Sequence, residues 1–141
     1  MKTIEITVQE IQYAAHHLAK EMMTFNEPIP DFDTRYPNKL EACVAAPFQT
    51  WDKRFLYKGL VAKAAVLFYL MIKNHPFQNG NKRIAVTTML VFMRKNERWM
   101  EVDNQKLYNL ARWVADSDPM FKEETVKSIE KFIKSYMVLV D

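Results

Sequence analysis

The sequence predicts an all-α protein built as a single domain over residues 1–141. Three observations predict it. The chain holds only two glycines and six prolines, too few for the many tight turns of a β-sandwich. Residues 59–73 and 81–94 are apolar almost all round, which marks helices wrapped by others. Hydrophobic residues make up 49% of the 141 positions, enough for one core at this length.

The elements follow in order. Residues 3–6 read as one short strand. Thr7 followed by Glu10 fits a capping box, in which each side chain satisfies the other residue's amide. A helix runs from there to about Met23, with Val8, Ile11, Ala15, Leu18 and Met22 on one stripe. His16 and His17 lie on it without a partner at metal-ligand spacing and read as ordinary helix residues. Residues 25–37 form a loop with prolines at 28, 30 and 37. Asn38 caps a short helix that ends before Pro47. Residues 48–57 mix aromatics with Asp52, Lys53 and Arg54 and show no period. They read as a hairpin or exposed flap, or as a loop anchored by Phe48, Trp51 and Phe55. Exposed aromatics beside charges would suit contact with a partner or a nucleotide.

The two apolar helices come next. In the first, Leu60, Val61, Ala64, Val66, Leu67, Phe68 and Met71 leave no polar face. The second does the same with Ile84, Val86, Met89, Leu90, Phe92 and Met93. Residues 99–102 read as a short strand or extended segment. Asp103 is a good N-cap for a helix to about Ala115. Asp118-Pro119 breaks it, and an amphipathic helix runs from about Glu123 to Tyr136.

Composition excludes several classes. Net charge is +3, from 20 basic and 17 acidic residues that are interspersed. That is a solvated surface and no nucleic-acid footprint, so direct nucleic-acid binding is not expected. Cys43 is the lone cysteine, so neither a disulfide nor a cysteine zinc site forms within the chain. Its neighbours Ala42, Val44 and Ala45 suit a buried small hydrophobe. The start of the chain has no signal-peptide core. The longest apolar run, residues 64–72, is far short of the ~20 residues that span a bilayer. A soluble, cytoplasmic protein away from membranes is the expectation.

The chemistry gathers in His75-Pro76-Phe77-Gln78-Asn79-Gly80-Asn81-Lys82-Arg83, between the two apolar helices. Rigid elements on both sides are the usual construction of an active-site loop. Gly80 can adopt angles closed to other residues and lets a ligand approach the main chain. The amides of Gly80, Asn81 and Lys82 then open a helix, where anions are favoured. Lys82 and Arg83 stand at that same end, where the helix dipole disfavours cations. Their placement costs stability unless an anion sits there, which points to a phosphate site. Arg83 can pair bidentately with phosphate, and Lys82 adds a point charge. Histidine changes charge near neutral pH, so His75 is the natural general base for a hydroxyl nucleophile. Phe77 reads as the loop's anchor in the core. Read alone, the same residues are a helix stop followed by an Asn-Gly turn.

His75-Pro76-Phe77, Gly80-Asn81 and Arg83 together resemble the signature of Fic-domain proteins. Lys82 before Arg83 resembles the death-on-curing (Doc) branch, toxins of bacterial and phage toxin–antitoxin pairs. The likeness extends to Leu40-Glu41-Ala42, Lys63-Ala64-Ala65, Asn74 and Asn96, and so to about residues 5–136. It implies a Fic-fold helical bundle with a small β-hairpin flap. It also implies His75 as the base for a target hydroxyl, Phe77 as core anchor and Gly80, Asn81 and Lys82 as the anion hole. Arg83 would hold a nucleotide phosphate, and residues 47–56 would be the flap that aligns the target.

Two positions depart from the adenylylating members of the family. These have a small residue where Lys82 stands and a second Arg where this chain has Val86. Doc-type proteins resemble this chain at both positions, and are understood to transfer the terminal phosphate of ATP to a threonine of elongation factor Tu. The resemblance therefore implies a toxin that phosphorylates a Ser/Thr hydroxyl of a translation factor, using ATP and Mg²⁺. Asn79 stands where the family commonly places a metal-holding Asp or Glu, and offers only a neutral carbonyl to a hard cation. AMP or UMP transfer, and a degenerate module that only binds nucleotide, are the alternatives. The chain lacks the Ser/Thr-x-x-x-Glu-Gly/Asn inhibitory pattern, since none of its glutamates precedes Gly or Asn. A separate antitoxin is therefore expected as inhibitor.

Overall fold

A computed structural model describes residues 2–22 and 27–140. The expected helix end at Met23 and loop start at Phe25 lie outside the described residues. The first helix begins as α1 (Val8–Glu10), passes through a π-helical turn at Ile11–Ala15 and continues as α2 (His16–Met22). The Thr7–Glu10 capping box forms as its sequence demands: the Glu10 amide donates to Thr7 Oγ1, and the Thr7 amide to Glu10 Oε1.

Residues 3–6 are not a strand. Ile4 pairs with a side chain instead: its amide donates to Asn96 Oδ1 at 2.7 Å and its carbonyl accepts from Asn96 Nδ2 at 3.0 Å. One buried amide thus does for this segment what a neighbouring strand would do. The next helix, α3 (Pro37–Ala45), starts one residue before the expected Asn38 cap. Pro37 takes the first helical position, where its missing amide costs nothing.

A 3₁₀ turn at Ala46–Phe48 leads into a hairpin of β1 (Thr50–Trp51) and β2 (Arg54–Phe55). Asp52 and Lys53 both have positive φ, the two-residue turn that matches strand twist. Phe48 anchors the hairpin by edge contacts to Phe55 and Phe92. Trp51, expected to be an anchor, is 77% exposed because it sits at the hairpin's tip.

The core lies on α4 (Gly59–Lys73) and α5 (Asn81–Lys95), which pack against each other. The fully buried Ala64, Val66, Phe68, Met71, Ile84, Val86, Met89 and Phe92 account for their apolar sequences. β3 (Arg98–Met100) follows, then α6 (Asn104–Asp116) behind the Asp103 cap, whose side chain accepts from the Lys106 amide. The Asp118-Pro119 break becomes a 3₁₀ turn, and α7 (Lys122–Tyr136) crosses α4. Beyond it β4 (Met137–Leu139) pairs antiparallel with β3, Trp99 opposite Val138. Among the described residues the fold is thus mostly helical with two small two-stranded sheets, of which only β1–β2 is a hairpin, consistent with the all-α reading. Cys43 is buried as expected, and burial pushes its thiol up to about 11.

Candidate active site

The nonapeptide joins α4 to α5, and most of its residues are held by an identifiable contact. His75 is exposed and adopts a left-handed φ of 48°. A non-glycine residue there carries strain, which accumulates where function needs a fixed side chain. The next carbonyl, that of Pro76, accepts from the Tyr36 amide at 2.8 Å. Phe77 is 1% exposed and packs on Phe32 and His16, so it anchors the loop as expected.

Asn81 is the loop's internal clamp. Its Oδ1 accepts from the Phe77 amide at 3.0 Å and its Nδ2 donates to the Phe77 carbonyl at 2.9 Å. Those two bonds fix the amide's orientation and aim Nδ2 at His75 Nδ1, 3.4 Å away. A contact that long orients the ring more than it binds it. Gly80 has φ of 72° and caps α5, with its amide donating to Asn79 Oδ1 at 2.8 Å. A Cβ at Gly80 would lie 2.7 Å from Ile29 Cδ1 and 2.8 Å from the Pro28 carbonyl. The segment after Glu27 therefore presses directly on the turn, and only glycine fits.

The two cations turn inward. Lys82 Nζ lies 3.1 Å from Glu27 Oε2, and the Lys82 amide donates to Glu27 Oε1 at 3.3 Å. Tyr108, on α6, donates its hydroxyl to Glu27 Oε2 at 2.9 Å. Burial, and then Glu27 beside it, push the Tyr108 phenol up to about 12, so it stays a donor. Arg83 is buried, with Nη1 bonded to the Glu27 carbonyl and Nη2 to the Ala19 carbonyl at 2.8 Å. One turn on, Thr87 Oγ1 donates to the Ala15 carbonyl at 2.7 Å. Alanine at 15 and 19 leaves those helix carbonyls within reach. Among the described residues Arg83 Nε is buried without a partner.

The start of α5 thus has an anion, supplied by the chain itself. Glu27 answers the electrostatic problem that Lys82 poses at a helix N-terminus. Sequence reasoning missed it because residues 27 and 82 are far apart in the chain, and a Glu before a proline carries no local signal. His16, read as an ordinary helix residue, is 5% exposed and sits 2.8 Å from the Pro30 carbonyl. It ties the first helix to the segment over Gly80. His17 is exposed beside Glu21, an ordinary helix pair.

His75, Asn79, Gly80, Asn81, Lys82 and Arg83 are therefore all in one loop, with His75 open to solvent and Lys82 half-buried. Among the described residues no three His, Cys, Asp or Glu side chains gather to hold a metal. Asn79 gives one neutral oxygen, already accepting from Gly80. Mg²⁺ bound on substrate phosphates ordinarily keeps about one or two protein carboxylates as ligands, and this loop supplies none.

The model of the Fic/DOC family matches residues 5–93, more than half of the 141. The chain belongs to the Fic/DOC family. Membership suggests a nucleotide-using transferase that acts on protein hydroxyls. No curated protein and no solved structure gives a match. No helix among the described residues is long and apolar enough to cross a membrane.

Proposed function

We propose that this protein is a Doc-type phosphotransferase that moves the terminal phosphate of ATP onto a Ser/Thr hydroxyl of a translation factor of the elongation factor Tu type. The observation that carries this reading is Lys82, with a bulky cation at the second position of α5 where adenylylating relatives keep a small residue. Val86 supports it: that side chain is fully buried in the core, so the position of a second arginine offers no charge.

The chemistry divides among the chain's own groups. His75 takes the proton of the target hydroxyl as its oxygen bonds to the terminal phosphorus, and the bond to ADP breaks. Asn81 holds the loop that carries His75. The Lys82 ammonium meets the phosphates over the α5 N-terminus, where positioning and charge stabilisation supply most of the catalysis. Arg83, expected from the sequence to hold a phosphate, is spent on the Glu27 and Ala19 carbonyls and braces the site from within. Asn79 is the one loop ligand for Mg²⁺ on the phosphates, and a neutral one. The hairpin, with Trp51 at its tip, would align the target segment.

The assay is ATP labelled at either phosphate, incubated with purified elongation factor Tu. Label from the terminal phosphate is expected on the factor. Label from the α-phosphate alone would overturn the reading and favour AMP transfer. His75→Ala should lower transfer by about 10²–10⁴-fold, the range for a general base; full activity would remove His75 from the mechanism.

A binding-only module is the second reading, favoured by Asn79 spending its carbonyl on Gly80. ATP binding indifferent to Mg²⁺, with no label transferred, would select it. The lack of an inhibitory motif supports a separate antitoxin. Growth arrest on expression, relieved by the product of the adjacent gene, is the expected outcome.

A further inference from the structure

We infer that Glu27 is a positioning residue of this site: held by Arg83 and Tyr108, its carboxylate fixes Lys82 over the α5 N-terminus, where the lysine meets the anionic substrate. The inference rests on the nucleotide reading above. It goes beyond it by assigning Glu27 and Tyr108 to the site.

The carboxylate grips one residue at two points. One oxygen takes the Lys82 amide and the other takes the Lys82 ammonium. That bends the lysine side chain back over the end of its own helix. Left alone it would turn outward, since the helix dipole and the neighbouring Arg83 both repel it. The same logic operates in protein kinases, where a glutamate holds the lysine that contacts phosphate.

Glu27 is itself bolted down. Its backbone carbonyl is held by Arg83 Nη1 and its side chain by the Tyr108 hydroxyl. Pro28 and Ile29 press on Gly80. Glu27 is 8% exposed. A residue fixed at backbone and side chain is a built part of the site. It is not a loose carboxylate that a phosphate would push aside. The Lys82 ammonium, 3.1 Å from its partner and half-buried, keeps protons for a further acceptor.

The test compares wild type, Glu27→Gln, Lys82→Met and the double variant by calorimetric ATP titration with Mg²⁺. Glutamine keeps the shape and removes the charge, but it leaves a single acceptor oxygen where Glu27 has two, so it cannot take the Lys82 amide and the Lys82 ammonium together. Each single variant is expected to weaken ATP binding by about 5–10-fold, and the double variant by no more than the worse single. Tighter binding by Glu27→Gln would overturn the inference, because the carboxylate would then be a competitor for phosphate. Additive losses would overturn it too. Acylation of surface amines, read by mass spectrometry, gives a result without nucleotide. Lys82 should be protected in wild type and labelled several-fold faster in Glu27→Gln. Equal labelling would show that Glu27 does not hold it. A wild type that binds no ATP would sink the nucleotide reading, and the labelling would still decide the positioning.

Discussion

Gly80 shows how little freedom single residues have around this loop. Its φ of 72° and the Pro28 carbonyl 2.8 Å from a would-be Cβ act together. A left-handed alanine costs about 1–2 kcal/mol, and crowding a packed site adds about 1–3 kcal/mol. Gly80→Ala should lower the melting temperature markedly while the far-UV spectrum stays helical. An unchanged melting temperature would mean that residues 28–29 do not lie on the turn. His16 supports the same segment from below. Burial lowers its pKa from 6.5, opposed by the Pro30 carbonyl bond; Lys20 and His17 add to the lowering, and Asp31 opposes it. A depressed folded pKa means that the unfolded chain binds the proton more readily. Stability from this group is then full above pH 6.5 and lost as pH falls through the lower folded value. Melting temperature should fall over that window, and His16→Gln should flatten the fall. A variant with the wild-type slope would clear His16. The loop's own residues were legible because their chemistry is contiguous. Glu27 and His16 were not, because their roles depend on contacts that no local pattern records.

Elements were legible where caps and breakers mark them. The Thr7–Glu10 box, the Asp103 cap and the Asp118-Pro119 break all act where their chemistry predicts. Pairings across the chain were hidden. β4 follows α7 directly, and nothing in Met137-Val138-Leu139 announces β3 as its partner. The Ile4–Asn96 pairing was equally opaque, since a side chain replaces a strand. The hairpin owes its position to α4 as well as to its own turn. Lys63 is 2% exposed and donates to the Tyr57 carbonyl, with its ammonium 4.0 Å from the Phe55 ring centroid. Burial pushes that ammonium's pKa down, so the charge costs energy in order to tie the hairpin down. Lys63→Met relieves a buried charge but leaves the Tyr57 carbonyl without its donor, so global stability should fall by no more than about 1–3 kcal/mol. Amides of the hairpin should nevertheless exchange faster, since a two-stranded hairpin is marginal alone. Unchanged exchange would show that Phe48 holds the hairpin without help.

For the whole molecule, the question is how much of the chain the site requires. The family match ends at residue 93, yet the core does not. α6 packs on α5 and α7 on α4. Leu107, Val114, Val126, Ile129 and Ile133 are nearly or fully buried in those contacts. At roughly 1.5–3 kcal/mol per side chain, their loss is on the order of 10 kcal/mol, as large as the whole stability of a typical domain. Tyr108 would go with them, and with it the α6 contact to Glu27. Apolar character on every side of α4 and α5 already says that these helices need cover, even though it does not say which segments provide it. A chain of residues 1–103 should therefore show no cooperative melting and should expose apolar surface to a dye such as ANS. If that fragment melted cooperatively near the full-length temperature and bound ATP, the C-terminal helices would be an addition to the site. The packing on α4 and α5 makes them part of its foundation.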